Sequence, residues 1–175
     1  MEHLDALREA LPESARDLKL NIQNVLARSS LSPAQALGVG LSSAFFVGCD
    51  ALRDALLADA REAGIGDEVI EDARAAAALM AMNTVYYRFR HLVEKPSYAQ
   101  KPAQLRMQRM MKPATSKADF ELFSMACAAL AGCAVCMKAH EASILKAGGS
   151  EDQVHDAVRI ASVVNGVATG LRLGA

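Results

Sequence analysis

No stretch of this chain alternates apolar and polar positions between hairpin signals, the mark of a half-buried strand. Ala, Leu, Met, Glu, Arg and Lys dominate its 175 residues and β-branched residues are sparse, so it reads as helix throughout. Ser32-Pro33-Ala34-Gln35 and Ser150-Glu151-Asp152-Gln153 are capping boxes, the first with Pro at the first helical position. Ser116-Lys117-Ala118-Asp119 resembles a cap for a helix through Glu121 and Leu130, and Asp67 caps one running toward Arg90. Gly48, Gly64, Gly66, Gly132 and the Gly148-Gly149 pair are stop signals. Pro96 and Pro102 frame a connector, about Glu94 to Ala103, that is expected to be non-helical. The fold class that follows is all-α, with no βαβ setting of the thioredoxin kind.

The two sides of that connector resemble each other. Shifted by 84 residues, Gly48-Cys49 falls on Gly132-Cys133, Ala63-Gly64 on Ala147-Gly148 and Asp72-Ala73 on Asp156-Ala157. No gap is needed from Leu37/Glu121 to Arg88/Arg172. This predicts one domain over 1–175 built from a duplicated three-helix unit, repeat one about 32–91 and repeat two about 116–172. The duplication acts as an internal control. Leu37, Leu52 and Leu56 of the first copy stand where the second has Glu121, Cys136 and His140. Leucine at all three places is what a packed core selects, so the polar residues of the second copy point to function.

Those three belong to one constellation. In Gly132-Cys133-Ala134-Val135-Cys136-Met137-Lys138-Ala139-His140-Glu141 two cysteines lie three apart and a histidine follows the second by four. On a helix, positions i and i+4 share a face, which puts His140 within reach of Cys136. A close thiol pair cycles between dithiol and disulfide, and an adjacent imidazole takes the thiol proton to expose the reactive thiolate. Glu121, inward-facing like Leu37, is placed to orient the His140 ring and relay protons. Cys133, Cys136 and His140 are also three of the ligands a zinc site wants, but no second CxxC or paired His completes the set. Other residues read as scaffold: Cys127 and lone Cys49 as structural thiols, His155 as exposed, and Met107, Met110 and Met111 as core or subunit contact. Lys101, Arg106, Arg109, Lys112 and Lys117 read as a solvated face, and Tyr86, Tyr87 and Tyr98 as candidate pocket residues without a decisive pattern.

Composition narrows the function by exclusion. Net charge is −1, aromatics make up 5% and Trp is absent, which argues against a nucleic-acid or anionic-membrane surface. The longest uncharged run, Ser29 to Cys49, is interrupted by serines, Pro33 and Gln35 and is too polar to span a bilayer. Met1-Glu2-His3-Leu4-Asp5 is acidic and no apolar signal region follows, so a cytoplasmic protein is expected. In a reducing cytosol a disulfide among four cysteines is catalytic more often than structural.

Phe120-Glu121-Leu122-Phe123-Ser124, Ala131-Gly132-Cys133-Ala134-Val135-Cys136 and Ala139-His140-Glu141 together resemble the AhpD alkyl hydroperoxidase family of the carboxymuconolactone decarboxylase-like superfamily. The resemblance extends to Leu11–Asn21, similar to the family's N-terminal helix, and to Met80–Arg88, similar to the segment closing its first repeat. Where some members carry His just before the second cysteine, this chain has Val135. The resemblance implies an AhpD-like duplicated helical fold, commonly a homotrimer, and an antioxidant thiol peroxidase that regenerates the peroxiredoxin AhpC. It implies Cys136 as peroxidatic cysteine, Cys133 as its resolving partner in a redox-active disulfide, Glu121 and His140 as proton relay, and no further cofactor. Electrons would come from lipoyl groups of a 2-oxoacid dehydrogenase complex through dihydrolipoamide dehydrogenase. Two other readings compete: a decarboxylase-type lyase of the same superfamily, which needs no thiols, and a zinc-bearing or redox-sensing interaction module.

Overall fold

The computed structural model describes residues 1–174, and every regular element among them is helical. Helix α1 (Glu2–Glu9), a single 3-10 turn and α2 (Arg16–Ala27) lead into α3 (Pro33–Val47), α4 (Asp50–Glu62) and α5 (Asp67–Val93). The connector between α5 and α8 is longer than the expected Glu94–Ala103, running from Glu94 to Ser116, and two short helices, α6 (Pro96–Ala99) and α7 (Gln108–Met111), interrupt it. The chain ends with α8 (Lys117–Leu130), α9 (Ala134–Lys146) and α10 (Glu151–Leu173). These last three begin 84 residues after α3, α4 and α5: Lys117 after Pro33, Ala134 after Asp50, Glu151 after Asp67.

The starts follow from capping. The Ser32 hydroxyl accepts from the Gln35 N–H while the Gln35 side chain accepts from the Ser32 N–H, and Ser150 and Gln153 repeat the exchange. Ser116 accepts from the Asp119 N–H. Helix α5 differs from expectation: its N-cap is Gly66 rather than Asp67, and Gly66 opens a helix instead of closing one. Asp67 and Glu68 then occupy the first turn, where their charge faces the helix dipole. The connector is not wholly irregular either, because Pro96 at the first helical position nucleates the one turn of α6.

Helices α3 and α8 are the central pair. Every residue from Ala36 to Ala44 and from Phe120 to Ala128 is buried, so both are apolar all round and surrounded by other helices. They approach closely: a Cβ on Gly38 would lie 2.3 Å from the Phe123 ring. Gln35 and Asp119, 84 residues apart, meet across this contact at 2.7 Å. The main core gathers around α3, α5, α8 and α10. A smaller apolar cluster of Ala77, Met80, Cys127, Ala128, Cys133 and Cys136 forms between α5, α8 and α9.

The connector is held to this framework by one carboxylate. Asp72 of α5 is fully buried and accepts from Arg109 Nε at 2.6 Å and from both the N–H and hydroxyl of Thr115 at 2.7 Å. Arg109 is therefore not part of a purely solvated basic face: a buried anion needs a partner, and the connector supplies it. Burial pushes the Asp72 carboxyl up, but the Thr115 and Arg109 donors outweigh it and hold it below its ordinary 3.8. Asp156 on α10 plays the matching part, accepting from the Ser30 N–H at 2.7 Å and hydroxyl at 2.9 Å.

Asp72→Asn should lower stability by about 2–4 kcal/mol in urea unfolding, since three hydrogen bonds to a charged acceptor are lost or weakened. A carboxylate whose folded pKa is depressed stabilises the fold above its unfolded value and ceases to as pH falls through the folded one. The variant should accordingly lose less stability than the wild type on acidification below about pH 4. Parallel acid limbs for the two proteins would exclude this role for Asp72.

Candidate active site

The site is assembled at the turn between α8 and α9. Ala131 ends α8, and Gly132 then takes a left-handed conformation (φ 63°) that a side chain would strain. The Gly132 N–H bonds the Ala129 carbonyl at 3.0 Å and the Cys133 N–H bonds the Ala128 carbonyl at 3.1 Å, the double closure of a Schellman motif. This turn delivers Cys133 to the N-cap of α9 and Cys136 to its first turn. Arg88 of α5 donates to the Ala131 carbonyl, placing a cation at the C-terminal end of α8.

Cys133 and Cys136 are joined in a disulfide, their Cα atoms 5.2 Å apart. The two sulfurs differ in access. Cys133 is fully buried, whereas Cys136 is 6% exposed and is the member of the pair that lines a pocket of about 360 Å³. His140 lines the same pocket one helical turn further on. Zinc binding through this set would need both sulfurs as free thiolates.

His140 Nδ1 lies 2.5 Å from Glu121 Oε2, and the other carboxylate oxygen, Oε1, takes Lys117 Nζ at 2.6 Å. Glu121 is 3% exposed. Burial pushes its carboxyl up, but the hydrogen bonds of His140 and Lys117 prevail and hold it below the usual carboxylate range. An ionised carboxylate only accepts, so the proton between the two groups sits on Nδ1. Nε2 is then the nitrogen left to take a proton in the pocket. The structure thus brings together the four residues that the sequence marks, Glu121, Cys133, Cys136 and His140. The first-half counterparts of Cys136 and His140, Leu52 and Leu56, are fully buried, and Leu37, that of Glu121, is 6% exposed.

The structure adds residues that sequence reasoning assigned elsewhere. Lys117 is exposed, as expected, but its ammonium also pairs with the buried Glu121, one helical turn away on the same helix. Met107 and Met110 form one wall of the Cys136 pocket, Met110 also packing against the core as expected, while Met111 is exposed. Helix α5 contributes Met80, Asn83 and Tyr87. Their equivalents 84 residues on are Val164, Val167 and Leu171, so the internal comparison that marks Glu121 would also have marked Asn83. The larger hollow, about 720 Å³, is walled by Met107 to Lys112 alone and touches neither cysteine. Cys127 is buried in the cluster behind the disulfide, where burial pushes its thiol up to about 12. Cys49 is half-buried at the N-cap of α4, and His155 is exposed.

Comparison with known proteins agrees with the geometry. The Carboxymuconolactone decarboxylase family profile matches residues 96–172. The chain is 58% identical over 173 residues to a protein named alkyl hydroperoxide reductase AhpD from Anaeromyxobacter dehalogenans (strain 2CP-C), covering 99% of this chain and 92% of that one. The protein of that name from Maricaulis maris is 45% identical over 168 residues, 96% of each chain, and that from Coxiella burnetii 40% over 168 residues, 94% of each.

The Lys117–Glu121 contact carries a prediction. Without Lys117, Glu121 is less firmly ionised and its pKa rises, so on acidification it loses its charge, and with it its hold on the His140 ring, at a higher pH than in the wild type. For the reduced protein, iodoacetamide alkylation of Cys136 in Lys117→Met should slow more at about pH 5 than at about pH 8. A pH profile superimposable on the wild type would show that Lys117 does not act through Glu121.

Proposed function

The chain belongs to the AhpD alkyl hydroperoxide reductase family of the carboxymuconolactone decarboxylase-like superfamily, and on that premise we propose that it is a cytoplasmic antioxidant thiol peroxidase and disulfide reductase. The observation that carries the reading is the pocket: Cys136 faces it beside His140, whose ring is held by the buried Glu121.

In the reduced state His140 Nε2 takes the Cys136 proton, leaving a thiolate beside an imidazolium. The thiolate attacks the terminal oxygen of ROOH. The S–O bond forms, the O–O bond breaks, and Cys136 becomes a sulfenic acid while RO⁻ leaves. His140 returns its proton to RO⁻, giving ROH. The Cys133 thiol then displaces water from the sulfenic acid and the disulfide forms. A dithiol reopens the pair by attacking the accessible Cys136 sulfur. Its second thiol resolves the mixed disulfide, so two electrons return to Cys133 and Cys136.

We assign the dithiol to a dihydrolipoyl group on a 2-oxoacid dehydrogenase component, recharged by dihydrolipoamide dehydrogenase. By the same exchange an oxidised peroxiredoxin, AhpC, would draw its electrons from the Cys136 thiolate. The only prosthetic chemistry this needs is the cysteine pair. We also read the coincident helix starts as two copies of one unit, repeat one about 32–91 and repeat two about 116–172, within a single domain. The exposed Val85, Phe89 and Leu92 repeat at helical spacing on α5 and support self-association, as a homotrimer in our reading.

Hydroperoxide-dependent NADH oxidation with dihydrolipoamide dehydrogenase and lipoamide tests the assignment. The wild type should turn over and Cys136→Ser should not. His140→Gln should cost about 10²–10⁴-fold, the usual range for a general acid–base group. Full activity in Cys136→Ser would refute the mechanism. Activity toward a carboxymuconolactone that survives alkylation of both thiols would favour a lyase instead.

A further inference from the structure

Asn83 sits in the second half of α5, 4% exposed, on the wall of the Cys136 pocket. Its Oδ1 is buried and has no hydrogen-bond partner among the described residues. A buried amide oxygen without a donor is destabilising, and a core position has cheaper occupants. The fold itself shows one: Asn83 is sixteen residues into α5, and the residue sixteen into α10 is the buried Val167. A valine therefore satisfies the packing of such a helix at this place. Asn83 is also the one carboxamide on a wall otherwise built from Met80, Met107, Met110, Val135, Ala139 and the Tyr87 ring, beside Cys136 and His140.

We propose that Asn83 binds the peroxide group of an organic hydroperoxide and aims it at Cys136. This rests on the peroxidase reading above. The chemistry of the ligand matches that of the wall. A hydroperoxide has one O–H donor and a second oxygen that gains negative charge as the O–O bond breaks. An amide offers one acceptor and two donors. Oδ1 accepts from the terminal O–H, which turns the terminal oxygen toward the sulfur. Nδ2 donates to the alkyl-bearing oxygen as it becomes RO⁻, before His140 delivers the proton. The apolar methionines around it take the organic group, being flexible enough to fit alkyl chains of different shape. Asn83 transfers no proton and no electron. It fixes the axis of attack and stabilises charge on the leaving oxygen.

The test separates peroxide chemistry from thiol reactivity. Reduced wild type, Cys136→Ser, Asn83→Val and Asn83→Ala are each mixed with cumene hydroperoxide, and the oxidation rate of the pair is followed by stopped flow. The same proteins are reacted at fixed pH with dithiodipyridine, which a thiolate attacks with no peroxide oxygens to be held. Asn83→Val should oxidise about 10²-fold more slowly, as expected for losing one such polar contact, while its exchange with dithiodipyridine stays within twofold of wild type. Asn83→Ala repeats the measurement with a smaller side chain should the valine fail to fold. Peroxide rates within twofold of wild type would overturn the proposal, and so would a parallel fall in both reactions, which marks a structural role. A wild type that cumene hydroperoxide leaves reduced would instead overturn the peroxidase reading itself.

Discussion

Placing a carboxylate inside a helical core is the constraint from which the site follows. Glu121 lies on α8 between Phe120 and Leu122, both buried, on a helix with no solvent face over this stretch. An unpaired charge there would be costly enough to protonate or unfold. Both oxygens therefore need donors, and two directions supply them: Lys117 from one turn back on the same helix and His140 from α9. The second donor matters more for architecture. It requires α9 to turn this face inward, and Cys136, one turn from His140, turns inward with it. The Cys136 sulfur is thus oriented by the electrostatic needs of a group on another helix.

The disulfide's approach from the other side is set by α5. Met80 and Ala77 pack against the cysteine pair in the small apolar cluster, and Arg88 reaches the carbonyl that ends α8. The pocket above Cys136 is closed by Met107 and Met110, whose segment is pinned through Arg109 and Thr115 to the buried Asp72. Two buried carboxylates, Glu121 and Asp72, consequently divide the work: one orients His140 and the other fixes the pocket wall that carries Met107 and Met110. The corresponding face of the first half is filled by Leu52 and Leu56 and carries no such chemistry.

Local chemistry was the legible part of this chain. The starts at Ser32, Ser116 and Ser150 can be read because a capping side chain bonds a backbone group only three residues away. Glu121, Cys136 and His140 can be read because leucine stands at each matching place in the other half. Gly66 and Asp67 were harder, since glycine both opens and closes helices and an acidic residue suits either the cap or the first turn. The residues that escaped are those whose meaning lies in distant partners. Lys117 looks like any helix-start lysine until Glu121 is known to be buried. Arg109 and Met107 lie in a connector whose sequence has no strong period, and Asn83 belongs to no motif, because what surrounds it comes from α9 and the connector.

The third thiol behind the pair has a consequence for fidelity. Cys127 shares the apolar cluster with Cys133 and Cys136. Thiol–disulfide exchange needs a thiolate attacker. Burial pushes the Cys127 thiol up to about 12, so it stays protonated at neutral pH. The same dry packing that makes the cluster stable therefore silences a bystander sulfur. The Cys133–Cys136 pairing therefore has no ionised competitor inside its own cluster.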